Sequence, residues 1–430
     1  MKIFEIIPVK KLKSNRVEMP GSKSYTNRAL IMATLCNGKS IIKGYSESDD
    51  SEALILALKK LGIKIEKCGK EIIVYGNSGN FSQFKGKIDV GAAGTTMRFL
   101  TSLCCLVPGE IILDGSERMR ERPIKELIEA LKILGANIEY LKKEGYPPIK
   151  IKGGNMGGGE VLMDGSVSSQ YFTSLLLIAS SLKNGLRIKV KGDQISKSYI
   201  DMTIDSLKDF GVKVLNNNYR EYIVDKGEGY KSTNYQVEGD LSGASYFFGI
   251  AAITGLKIRV KNIDPMSHQG DIRFVGLLEK MGCKILKNGK ENWIEIKGSD
   301  KLKSIKCNME EMPDTAQTLA VIASFAEGKT KITGLKTLRI KETDRIKALQ
   351  NELSKMGIKT TIGPDFIVIY GGKSRGVEIE TYKDHRMAMA FAMTGCKIPG
   401  IKILEPEVAT KSFPEFWEKM EELGVEVLKK

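Results

Sequence analysis

Six copies of one short phrase constrain this chain more than any other feature. It reads "LKKLGIKI" from Leu58, "LKILGANI" from Leu131, "LKDFGVKV" from Leu207, "LEKMGCKI" from Leu278, "LSKMGIKT" from Leu353 and "MEELGVEV" from Met420. The glycines, Gly62, Gly135, Gly211, Gly282, Gly357 and Gly424, recur at intervals of 67 to 76 residues. That period is longer than those of the common solenoids. Each phrase reads as the end of an amphipathic helix, a glycine suited to a left-handed C-terminal cap, and a following strand. In the second copy Ile124, Leu127, Ile128, Leu131 and Leu134 form one apolar stripe, and Pro123 is expected in the first helical turn.

Each repeat holds a second, different helix that is apolar almost all round and opens on a polar cluster. The six strings are "GSKSYTNRALIMATL", "GAAGTTMRFLTSLCCL", "GSVSSQYFTSLLLIASSL", "GDLSGASYFFGIAAI", "MPDTAQTLAVIASFA" and "KDHRMAMAFAMTG". A helix with no wet face belongs inside a core. The reading is therefore α/β: three repeats per domain around a central bundle, with strands such as "GLRIKVKG" and "TKITGL" and the amphipathic helices outside it. The polar clusters sit at helix N-termini, where unpaired N–H groups and the dipole attract anions. Capping accounts for the Ser, Thr and Asp in them. It does not account for Lys23, Arg28, Arg98 and Arg386, cations set against the dipole. With parallel central helices and facing domains, the clusters would bound an anion-binding cleft.

Composition narrows the partners. The chain has 430 residues and a formal net charge of +15, enough length for two full cores and a charge suited to an anionic ligand. The seven cysteines are scattered without a C-x-x-C pair and the two histidines are His268 and His385, which argues against disulfide scaffolds and against Cys- or His-rich metal sites. The cysteines read as small core hydrophobes and His268 as a surface loop residue. No segment approaches the roughly 18 apolar residues of a membrane span. The start, "MKIFEIIPVKK", lacks a signal or transit pattern, so a cytoplasmic protein is expected.

At this point the chain resembles the 5-enolpyruvylshikimate-3-phosphate synthases, also called 3-phosphoshikimate 1-carboxyvinyltransferases. The matching strings are "PGSKSYTNRAL", "GAAGTTMRFL", "RMRERPI", "DGSVSSQY", "SKSYIDMT", "EGDLSGASYF", "QGDIRF", "PDTAQT", "RIKETDR", "DHRMAMA" and "KSFPEF", in family order over nearly the whole chain. The resemblance implies an inverse α/β prism with a 20–236 domain and a discontinuous partner of 1–19 plus 237–430. It implies transfer of the enolpyruvyl group of phosphoenolpyruvate to the 5-hydroxyl of shikimate 3-phosphate, through a tetrahedral intermediate and with loss of phosphate, in chorismate and aromatic amino acid biosynthesis. It also implies no cofactor and no metal, no nucleic acid or membrane partner, a monomer, and sensitivity to glyphosate.

Carried over by motif, Lys23, Ser24, Arg28, Ser168, Ser169, Gln170, Ser196, Tyr199, Asp314, Thr337 and Lys341 would hold shikimate 3-phosphate. Lys23, Gly94, Arg122, Gln170, Arg345, Arg386 and Lys411 would hold phosphoenolpyruvate, arginine suiting planar carboxylate and phosphate forks. Asp314, kept ionised by nearby lysines, would take the 5-hydroxyl proton. Glu342, assisted by Lys23, would move the proton at the methylene carbon. Alone, the run Arg339, Lys341, Glu342, Asp344, Arg345 reads as a solvated helix start, "DHR" as an N-cap with a surface histidine, the two serines as caps and Gly94 as a turn residue. The ordered set reverses these readings. The chain departs from the usual family pattern at Ala92, where Asn is usual, at Phe99, often Pro, and at Thr337, where Asn or Gln is found.

Two rivals stand beside this reading. The sister enolpyruvyl transferase acting on UDP-N-acetylglucosamine shares the repeats but uses a cysteine in the loop that here reads "DGSERMRERP". A basic nucleic-acid-binding protein would carry similar charge, but it normally interleaves stacking aromatics with its cations, and only 7% of residues here are aromatic.

Overall fold

The computed structural model describes residues 2–227 and 229–430. They fall into two compact units, one of Gly21–Val237 and one of Met1–Pro20 with Glu238–Lys430. The short N-terminal segment belongs with the second unit because its strands pair there: Ile3–Ile6 lies antiparallel between Ile401–Leu404 and Val427–Lys429, and Arg16–Glu18 runs parallel to Lys257–Lys261.

The Gly21–Val237 unit holds α1 (Lys23–Leu35), α2 (Asp49–Lys60), α3 (Gly94–Cys104), α4 (Lys125–Ile133), α5 (Ser169–Leu176) and α6 (Lys197–Asp209). The other holds α7 (Leu241–Thr254), α8 (Arg273–Lys280), α9 (Ala316–Ala323), α10 (Arg345–Lys355), α11 (His385–Gly395) and α12 (Phe416–Leu423). One sheet plan recurs in every repeat. A parallel pair is extended by two antiparallel strands, as in Phe84–Asp89, Gly109–Asp114, Ile149–Gly153 and Asn137–Tyr140. Repetition of this plan is what the sixfold phrase encodes.

The apolar-all-round helices α1, α3, α5, α7, α9 and α11 form the two cores, nearly every one of their residues being buried. In the second unit α7, α9 and α11 touch one another pairwise. All six phrase glycines adopt positive φ, from 80° at Gly211 to 102° at Gly135, so the caps are left-handed as the sequence implies.

Three local expectations need correction. Pro123 lies before α4, whose cap residue is Ile124. Its carbonyl accepts from Arg98 and from the Tyr171 hydroxyl, and the non-helical φ of Ile124, −144°, starts the helix only after it. Cys68 is exposed, on the strand Lys64–Cys68, and Cys307 is half-buried, whereas the other five cysteines are buried. His385 is buried at the start of α11, so "DHR" carries no surface histidine, while His268 is exposed.

Candidate active site

In the Gly21–Val237 unit the candidate residues collect at the N-terminal ends of buried helices. Lys23 opens α1 and pairs at 2.9 Å with Asp50 of α2, a partner no sequence pattern suggests. Arg28, one turn on, is buried yet fully directed. Its Nε donates to Thr203 Oγ1 at 2.8 Å, Nη1 to the Ser24 carbonyl at 2.8 Å and Nη2 to the Tyr199 carbonyl at 3.0 Å. Burial lowers its pKa to about 10, which leaves it cationic at neutral pH. Its guanidinium lies 5.7 Å from the centre of the Phe99 ring. The departure at Phe99 thus supplies a π-face for the cation.

Gly94 and Arg122 are neighbours. A Cβ on Gly94 would lie 2.5 Å from Arg122 Nη1 and 2.7 Å from its Cζ. The loop carrying Arg122 is anchored by Arg120, which donates to both oxygens of Asp114 at 2.8 and 2.7 Å and, with Lys87, holds that carboxyl far below its ordinary range. Arg98 donates to the Gly94 carbonyl at 3.1 Å and to Pro123 at 2.9 Å. That cation against the dipole is satisfied by backbone, and no bound anion is needed to explain it.

The starts of α3 and α5 meet where Gln170 Nε2 donates to Thr95 Oγ1 at 3.4 Å. Ser168 is the cap of α5, accepting from the Gln170 N–H at 3.3 Å, so it is both a cap and a candidate ligand. Ser169 is buried beside it in the first turn of α5. Ser196 caps α6 in a left-handed conformation, φ 52°, and Tyr199 follows in the first turn. Ala92 is exposed just ahead of α3.

In the other unit one arginine organises three carboxylates. Arg345 is 1% exposed. Its Nε donates to Asp384 Oδ2 at 2.7 Å, Nη2 to Glu342 Oε2 at 2.8 Å, and Nη1 to Asp314 Oδ1 at 3.3 Å. Burial alone would lower its pKa, but Asp384, Glu342 and Asp314 together raise it above its ordinary value. This residue is no part of a solvated charge run. Nearby, Arg386 Nη2 donates to Asp314 Oδ2 at 2.8 Å, and its Nη1 lies 3.5 Å from the Tyr246 hydroxyl of α7. The cations that reach Asp314 thus include two arginines, Arg345 and Arg386. Guanidinium forks fit both carboxylate oxygens at once.

Asp384 caps α11 by accepting from the Arg386 N–H at 2.9 Å, so one carboxylate fixes both arginines. Lys411 Nζ stands 3.8 Å from Glu342 Oε1. Thr337 and Lys341 are half-buried, in and just after the turn Lys336–Ile340. Sequence reasoning misses Asp50, Tyr246 and the pairing role of Asp384. Only Asp384 has a local signal, its cap position.

A family model described as EPSP synthase (3-phosphoshikimate 1-carboxyvinyltransferase) matches residues 8–420. The 3-phosphoshikimate 1-carboxyvinyltransferase of Colwellia psychrerythraea is 41% identical over 429 residues, covering 99% of this chain and 100% of the relative. The Escherichia coli protein of the same name is 42% identical over 411 residues, covering 94% and 95%. Among solved structures, an EPSP synthase from Acinetobacter baumannii superimposes with a TM-score of 0.83 at 27% identity, covering both chains completely.

Proposed function

The chain belongs to the EPSP synthase family, has its α/β fold and acts as a 3-phosphoshikimate 1-carboxyvinyltransferase of the shikimate pathway, and we propose that Asp314 and Glu342 are its proton-transfer groups. The observation that carries the assignment is Asp314, a carboxylate gripped by two buried arginines, with Glu342 on one of them. The two arginines favour the ionised form of Asp314, as a base requires. On this reading Asp314 accepts the 5-hydroxyl proton as that oxygen bonds to C2 of phosphoenolpyruvate. Glu342, with Lys23, delivers a proton to C3. In the second half a proton leaves the new methyl group, the double bond returns and the bond to phosphate breaks.

Arg122, Arg345, Arg386, Lys411, Lys23, Gly94 and Gln170 are assigned to phosphoenolpyruvate. Arg28, Lys23, Ser24, Ser168, Ser169, Gln170, Ser196, Tyr199, Asp314, Thr337 and Lys341 are assigned to shikimate 3-phosphate. Small anionic substrates fit a chain of this positive charge. We read the protein as a cytoplasmic monomer with no nucleic-acid partner. No helix among the described residues is long and apolar enough to cross a membrane.

The test is inorganic phosphate release from phosphoenolpyruvate with shikimate 3-phosphate, run beside UDP-N-acetylglucosamine. Release with the first pair alone is expected. Release only with the nucleotide sugar would overturn the substrate assignment.

A further inference from the structure

One buried carboxyl in the second unit has no part in the chemistry above. Asp271 lies in the turn Gly270–Ile272, just before α8, and is 6% exposed. Ser242 Oγ donates to its Oδ2, while its buried Oδ1 has no hydrogen-bond donor among the described residues. An ionised oxygen left so is costly, which favours the neutral acid.

Its surroundings tie it to the site. Ser242 and Tyr246 are one turn apart on α7 and so share a face. The first binds Asp271 and the second lies 3.5 Å from Arg386. Asp271 therefore lies along the α7 face that also carries Tyr246, and within electrostatic reach of Arg386, of Asp314 and of Asp240, the cap of α7. The other element packed on its turn, α8, brings Arg273, exposed at its start.

We infer that Asp271 is a positioning residue for Arg386 and Asp314: protonated, it leaves Arg386 to Asp314 and an anionic substrate, and ionised, it competes for Arg386. Burial, then Asp314, raises its pKa to about 7, while the Ser242 hydroxyl and Arg386 act in the opposite sense. Its charge consequently changes near neutral pH. As pH rises, the added negative charge draws on Arg386 and weakens binding of phosphoenolpyruvate.

The inference rests on the assignment of Arg386 to phosphoenolpyruvate. The experiment is KM for phosphoenolpyruvate against pH in the wild type, Asp271→Asn, Ser242→Ala and Arg386→Ala, with the substrate's own titration common to all. From about pH 6 to about pH 8.5 the wild-type KM should rise roughly three- to tenfold relative to Asp271→Asn, which keeps the shape but cannot ionise. Ser242→Ala, lacking the hydroxyl that lowers the Asp271 pKa, should move the inflection to higher pH. An Asp271→Asn profile that follows the wild type overturns the inference. Should that variant not fold, an unmoved inflection in Ser242→Ala overturns it instead. An Arg386→Ala variant with unchanged KM refutes the Arg386 assignment itself. A raised KM in Arg386→Ala beside a wild-type profile in Asp271→Asn refutes the Asp271 role alone.

Discussion

Gly94 faces the guanidinium of Arg122, and a methyl group at position 94 would sit 2.5 to 2.7 Å from three of its atoms. Gly94 is the first residue of α3, and its φ lies outside the left-handed region, so its backbone does not demand glycine. What Gly94→Ala disturbs is Arg122, a side chain that must shift its far end. If Arg122 holds phosphoenolpyruvate, Gly94→Ala raises the KM for that substrate several-fold. If glyphosate, slightly longer than phosphoenolpyruvate, occupies the same site, its inhibition constant should rise by roughly ten times more, a further 1.4 kcal/mol or so. Inhibition and Michaelis constants, with melting temperatures, check this. Equal losses for inhibitor and substrate would sink it.

Asp314 stands between Arg345 and Arg386 at 3.3 and 2.8 Å, and this shapes what its removal should do. Asp314→Asn keeps the volume but removes the base, so kcat should fall by roughly a hundredfold or more. The same change leaves two arginines with one anion fewer, so the KM for phosphoenolpyruvate should stay level or fall. Steady-state kinetics separate the two effects. Turnover at the parental rate would refute the base assignment.

Asp271 also predicts a pH-dependent stability. The native protein holds its proton up to about pH 7, while an unfolded carboxyl releases it near its ordinary value of 3.8. Between those values the folded state binds more protons, so stability falls as pH rises through this window. At roughly 1.4 kcal/mol per pH unit between the two values, the loss is on the order of a few kcal/mol. Asp271→Asn escapes it. The melting-temperature gain of the variant over the wild type should be small near pH 4 and grow to a plateau above pH 7. A gain independent of pH would contradict the linkage.

The residues assigned to the substrates' phosphates and carboxylates are cations such as Arg28, Arg122 and Arg386, which would neutralise phosphate without a metal. Among the described residues no group of three or more His, Cys, Asp or Glu is placed to hold a metal ion. Activity should therefore survive exhaustive chelation. Loss on chelation that zinc or magnesium restores would refute the prediction.

The sequence by itself determined the repeat, the caps and the identity of the core helices. These are local properties: Gly62 or Gly135 answers to its own φ, and an apolar-all-round stretch such as Leu241–Thr254 must be buried whatever surrounds it. Its resemblance to the family also put Asp314, Glu342, Arg345 and Arg386 among the candidates by motif. Only the tertiary structure decided their partners. Asp314, Glu342 and Asp384 reach Arg345 from three separate stretches of chain, Asp50 reaches Lys23 across 27 positions, and the Pro123 carbonyl is taken by Arg98 and Tyr171. Burial likewise separates Arg345, enclosed by carboxylates, from the half-buried Arg339 six residues earlier in the same charged run. Periodicity reports which face of an element turns inward. It carries no record of which distant side chain waits there, and in a low-dielectric interior that neighbour decides the charge and direction of a catalytic group.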